Sequence, residues 1–154
     1  MQLYRVIVPV GDIGAATQFY AQLLDLPGNR VSPGRHYFPT GPAILAVVDL
    51  RADGQDRDPR PNQEHLYFST PDLFAARVRA AAAGPAEGPS EIRSWPWGET
   101  SFDLTDPWGN PLCVVAAGSG SPKAESLSPP HSVGWGWTFC GAPTRVSWPG
   151  QGAR

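Results

Sequence analysis

Leu3-Tyr4-Arg5-Val6-Ile7-Val8-Pro9-Val10, followed at once by Gly11-Asp12-Ile13-Gly14-Ala15-Ala16, decides how this chain folds. The first eight residues are rich in Val and Ile, as a buried strand is. Pro9 has no N–H to give to a ladder, so that end of the strand lies at an edge or bends. Asp12 stands where an N-cap belongs, with a carboxylate that can accept from the first N–H groups of a helix. Behind it Ile13, Ala16, Phe19, Tyr20, Leu23 and Leu24 recur at spacings of three and four. That puts one apolar stripe along a helix, which Pro27-Gly28 is expected to end.

Three short strands are expected next, at Asn29–Ser32, Arg35–Thr40 and Ala43–Leu50, with turns at Pro33-Gly34 and Thr40-Gly41-Pro42. Residues 51–62 are polar and read as a solvated linker. Then the pattern restarts. His65–Thr70 reads as a strand and Asp72 as a cap. Leu73, Ala76, Val78 and Ala80 to Ala83 read as a helix ended by Gly84-Pro85. Glu91–Trp95, Thr100–Thr105 and Pro111–Ala116 read as strands, the last two joined by the turn Asp106-Pro107-Trp108-Gly109-Asn110. At an offset of 60, Asp12 falls on Asp72, Ile13 on Leu73, Ala15 on Ala75, Ala16 on Ala76 and Arg5 on His65. One match is cheap in an alanine-rich chain, but a whole strand–cap–helix–glycine unit recurring in phase indicates a repeat. The fold class is therefore α+β: two tandem βαβββ modules at 1–50 and 63–116, joined by the linker 51–62 into one domain.

Composition bounds the rest. A net charge of -2 gives no basic footprint for nucleic acid. No apolar run reaches the roughly 20 residues a membrane span needs. The first residues lack a charged segment followed by an apolar one, so no signal peptide is expected. Cys113 and Cys140 cannot build a disulfide framework, which makes a cytoplasmic setting with reduced thiols the expectation. Residues 117–154 hold 7 Gly and 5 Pro, and Leu127, Val133 and Val146 are their only aliphatic residues larger than Ala. Such a segment cannot offset its ordering entropy by burial and is expected to be disordered. Its aromatic residues Trp135, Trp137, Phe139 and Trp148 are either a docking motif or part of an accidental extension.

Val8-Pro9-Val10-Gly11-Asp12-Ile13 through Phe19-Tyr20, then Leu23-Leu24-Asp25-Leu26, resembles the opening of the vicinal oxygen chelate superfamily. This superfamily includes glyoxalase I, extradiol dioxygenases and bleomycin-binding proteins. Asp72-Leu73 and Asp106-Pro107-Trp108-Gly109-Asn110-Pro111 resemble its second half, so the likeness covers residues 3–116. The resemblance implies that the two modules form a cupped mixed sheet with helices outside, that a small organic ligand sits in the cup, and that the chain forms a homodimer. It also implies a divalent metal held by one ligand on the first and one on the last strand of each module. Those positions here are Arg5, Ala46, His65 and Cys113. Only His65 is of the expected type. Arg5 brings a fixed positive charge, Ala46 has no donor atom, and one His with one Cys is an incomplete set. No metal and no other cofactor is therefore expected.

Other side chains are candidates for lining a pocket. Either Arg35 with Tyr37 or His36 alone faces the cup, because strand neighbours alternate. Trp95-Pro96-Trp97-Gly98-Glu99 offers rigid aromatic walls and a hydrogen-bond acceptor, unless the tryptophans plug the cup as core. Cys113 is either a small buried hydrophobe or a thiolate paired with Arg5. Three functions stay open. The first is a binding protein with a degenerate metal site. The second is a glyoxalase-like lyase or dioxygenase rebuilt around His65, His36 and Glu99. The third is a paralogue without a ligand of its own.

Overall fold

The computed structural model describes residues 1–120. The disorder and the docking aromatics expected further along, and Cys140, lie outside these residues. The first module runs β1 (Arg5–Pro9), α1 (Ile13–Leu24), β2 (Asn29–Ser32), β3 (Arg35–Thr40) and β4 (Ala43–Val48). The second runs β5 (Leu66–Thr70), α2 (Leu73–Ala82), β6 (Arg93–Ser94), β7 (Thr100–Thr105) and β8 (Pro111–Ala116). The sheets have strand orders β1-β4-β3-β2 and β5-β8-β7-β6, the same order twice. In each, the first strand pairs parallel with the last, and the remaining neighbours are antiparallel. Among the described residues both first strands are free on their other edge, and the two sheets do not close into a barrel.

Local chemistry accounts for these limits. Asp12 Oδ1 accepts from Gly14 N at 2.8 Å and Ala15 N at 3.0 Å, and Asp72 Oδ1 from Ala75 N at 2.9 Å. Both helices thus start where their caps predict. The first helix ends earlier than Pro27-Gly28, because Asp25 adopts the left-handed conformation at φ 55° and closes it. In α2, Leu73, Ala76 and Ala80 are buried, whereas Val78, expected on the apolar stripe, is exposed beside Phe74. The strand expected at Glu91–Trp95 shrinks to two residues, because Trp95 turns into the tight hairpin with Glu99.

Val8, Val10, Phe38, Leu45 and Val47 meet α1, and Phe102, Leu104, Leu112 and Val114 meet α2, in one continuous core. The helices pack against each other. From α1 the Tyr20 hydroxyl donates to Asp106 Oδ2, in the β7–β8 turn of the second module, at 2.7 Å. Asp106 Oδ1 accepts from the backbone N–H groups of Trp108 (2.9 Å) and Asn110 (2.7 Å), which shapes the turn where Gly109 takes φ 89°. Asn110 Nδ2 reaches Pro9 O at 2.9 Å, and its Oδ1 accepts from Asn62 N at 2.9 Å. The two stretches that carry the sequence resemblance, Phe19-Tyr20 and the Asp106–Asn110 turn, are therefore partners in one buried network.

Two limits of the expected domain move. Past Ala116 the chain makes a turn through residue 120, held by Ala117 N to Thr70 O at 2.8 Å, so the fold outlasts its expected end at 116. The linker 51–62 is not wholly solvated. Asp53 folds back onto the β2–β3 turn and accepts from Ser32 Oγ (2.6 Å), Gly34 N (2.8 Å) and Arg35 Nε (2.6 Å). The Ser32 hydroxyl, then Gly34 N–H and the Arg35 guanidinium, hold its carboxyl below the usual range against the opposing effect of burial.

Candidate functional site

Each sheet has one face under its helix and one turned away from it. On the first sheet Val8, Phe38 and Val47 fix the helix side, so alternation puts Arg5, Ile7, Arg35, Tyr37, Ala46 and Val48 on the open side. His36 therefore faces the core. Its Nε2 lies 3.0 Å from Pro27 O and its ring 4.8 Å from that of Phe38. Of the two possible faces, the one with Arg35 and Tyr37 is open, and His36 is removed from the pocket candidates.

Tyr37 lies directly opposite Ala46 across β3 and β4. Arg5 fills the space an Ala side chain leaves: its Cζ sits 4.6 Å from the centre of the Tyr37 ring and 5.1 Å from that of Tyr4. Its Nε is buried and has no hydrogen-bond partner among the described residues. Arg35, on the same face, is engaged with Asp53 at 2.6 Å.

On the second sheet Tyr67, Ser101, Asp103, Cys113 and Val115 share the open side, with Cys113 between Tyr67 and Asp103 in register. His65 immediately precedes β5, exposed, with its ring 6.2 Å from that of Tyr67. Trp95 and Trp97 stack at 5.0 Å and 12°. Trp95 Nε1 donates to Ser101 Oγ at 2.9 Å and Trp97 Nε1 to Glu99 Oε2 at 2.7 Å. Trp97 is 61% exposed, so this pair is a wall on the hairpin and not a plug of core. Burial first, then the Asp103 carboxylate and at longer range Glu99, pushes the Cys113 thiol up to about 12. The Arg5 guanidinium is not among the groups that act on it. The Arg5 guanidinium lies instead against Tyr37 and Tyr4, and Cys113 is a buried thiol beside acids.

These faces carry opposite charge, guanidiniums on the first and carboxylates on the second. Asp103, Ser101 and Tyr67 were not picked out from the sequence, although equal steps outward from the Trp108 turn place Asp103 opposite Cys113. Asp53 was missed because no periodicity marks a loop residue that folds back. A cavity of about 670 Å³ lies elsewhere, on the helix side between β1 and β5, lined by Val6, Leu45, Leu66, Phe68 and Arg79 among others. His65 is the only candidate residue that reaches it.

The metal positions implied by the resemblance can be tested against these side chains. A guanidinium has no lone pair to give a cation, and Ala46 has no donor. A cysteine binds metal as thiolate, and Cys113 with His65 would still be an incomplete set. Among the described residues, no three His, Cys, Asp or Glu side chains come together to hold a metal ion. The residues present do not fit the group.

The family model of a glyoxalase-like domain matches residues 5–115. Several solved structures are similar. A glyoxalase-related enzyme from Fulvimarina pelagi is 19% identical, with 75% of this chain and 88% of that one covered at TM-score 0.63. A lactoylglutathione lyase from Agrobacterium tumefaciens is 21% identical, with coverage of 75% and 92% and TM-score 0.59. A protein from the mobile metagenome of V. Pseudocholerae is 28% identical, with coverage of 76% and 95% and TM-score 0.57. No curated protein matches the chain. The doubled βαβββ unit, the Tyr20–Asp106 link between its halves and the match over nearly all of both modules agree: the chain belongs to the glyoxalase-like family of the vicinal oxygen chelate superfamily.

Proposed function

We propose that this chain is a small-molecule-binding protein that works without a metal. The observation that carries the reading is the Arg5 side chain lying over Tyr37 beside Ala46. A permanent cation and a methyl group stand where the family places two metal ligands. An aromatic wall at Trp95 and Trp97, and polar groups at Ser101, Asp103 and Glu99, supply what a small organic ligand needs. The rebuilt enzyme site loses support, because His36 turns to the core.

A second copy would complete the cup. Leu3, Tyr4, Ile7 and Tyr67 are exposed along or beside the two free edge strands, where a homodimer would cover them. Metal analysis of the purified protein after dialysis, with sedimentation in parallel, tests both parts. The expected result is a dimer with far less than one divalent ion per chain. Stoichiometric metal that survives dialysis and is lost in His65→Ala would overturn the metal-free reading.

A further inference from the structure

We propose that Arg5 is the anchor for the carboxylate of an organic acid, and so takes by hydrogen bonding the oxygen atoms that a metal would otherwise take. The inference rests on the metal-free reading above and names the ligand class of that site.

The ion pairs among the described residues are Arg35–Asp53 and Arg51–Asp58, and neither uses Arg5. Among the described residues its charge therefore has no counter-ion, although the side chain is half-buried and its Nε is sealed from water. A desolvated cation without a counter-ion is costly. The Tyr37 and Tyr4 rings offset part of that cost by attracting the guanidinium to their faces. They also seat the guanidinium, and a seated guanidinium presents parallel N–H donors that match the two oxygens of one carboxylate. A lysine has no such fork of donors. The neighbours on the same face are Tyr37, Ile7 and Ala46, which bring no acceptor of their own beyond the Tyr37 hydroxyl. In such surroundings a charge-assisted pair is stronger than in water. Ile7, largely exposed next to Arg5 along β1, gives a flat apolar body a surface to lie on. The ligand class is thus a carboxylate joined to a planar apolar group.

The test compares 2-naphthoate with the uncharged 2-naphthamide, by calorimetric titration of the full chain in chelator. The wild type is expected to bind 2-naphthoate about tenfold or more tightly than the amide, the scale of one charge-assisted pair. Arg5→Gln is expected to remove that preference and leave the amide within about twofold, and Arg5→Lys to keep only part of it. A second readout is the ¹⁵Nε–¹H resonance of Arg5, identified by its absence in Arg5→Gln. It is expected to move on adding 2-naphthoate and to stay in place with the amide. Equal binding of the two probes, binding of neither, or a preference that survives Arg5→Gln overturns the proposal. Naphthoate binding that needs added Zn²⁺ and disappears in chelator overturns the metal-free reading with it. Equal binding of both probes in chelator overturns the carboxylate assignment alone.

Discussion

The side chain at position 113 is a thiol on the open side of β8, and its surroundings decide what it can do. It is buried, it faces Asp103 across the hairpin, and its proton is held until about pH 12, against 9.0 for an ordinary thiol. The sign follows from the direction of the shift. The folded state binds this proton more tightly than the unfolded state, so the contribution to stability is full below pH 9 and is lost as the pH climbs toward 12. At any neutral pH the folded chain carries about a thousandfold less thiolate at this position than an unperturbed thiol would. Iodoacetamide at pH 8 is therefore expected to leave Cys113 unmodified in the native protein and to label it quickly in urea, as read from the mass of the peptide that contains it. Fast native labelling with a midpoint near pH 9 would place the thiol outside these acids. Arg5 is different, since its guanidinium meets only anions or aromatic faces.

At the scale of the element, the caps show how local chemistry sets the fold. Asp12 serves two N–H groups of α1 and Asp72 serves one of α2. Asp12→Ala is expected to cost about 1 kcal/mol in urea unfolding, and Asp72→Ala less. Equal losses would mean that the charge beside each helix end matters more than the count of bonds. Because caps, turn residues and period-2 runs act over a few residues, the strands at Asn29–Ser32, Arg35–Thr40, Thr100–Thr105 and Pro111–Ala116 were legible to the residue. Legibility failed where a distant partner decides. Alternation showed that His36 and Tyr37 face opposite ways, but not which way is out; Phe38 under α1 settles that. Val78 looked apolar enough to be buried, yet the stripe that meets the sheet runs through Leu73, Ala76 and Ala80. That Arg5 and Ala46 bring no lone pair to a cation is read from residue types alone. The cover that Arg5 forms over Tyr37 was not, because a cation–π contact between strands leaves no spacing to read.

For the whole molecule, the question is what makes two repeats one domain. Tyr20 and Asp106 are 86 residues apart, and each belongs to a motif that makes sense alone: an apolar helix stripe and a tight turn. Their bond is one tie between the modules, with Asn110 Nδ2 to Pro9 O and Asn62 Nδ2 to Ile7 O as further ties. Burial first, and then the Asp106 charge and hydrogen bond, hold the Tyr20 phenol well above its usual range. Its proton is thus bound more tightly in the folded state. The stability it gives is complete below pH 10 and is lost at higher pH. Tyr20→Phe keeps the ring in the core and removes only the donor. A buried carboxylate then loses one partner while Asn110 Nδ2 and two backbone N–H groups remain. The expected cost is about 1.5–3 kcal/mol, the range for a hydrogen bond to a charged group. Urea unfolding at pH 7 and at pH 11 checks both parts. The variant should be less stable than wild type at pH 7, and the gap should narrow at pH 11, where Tyr20 ionises in the unfolded chain while the folded one still holds its proton. The two modules share one core, so unfolding should stay a single transition in both proteins. A split into two transitions in Tyr20→Phe would assign the coupling of the repeats to this hydrogen bond more than to the apolar contact of α1 with α2.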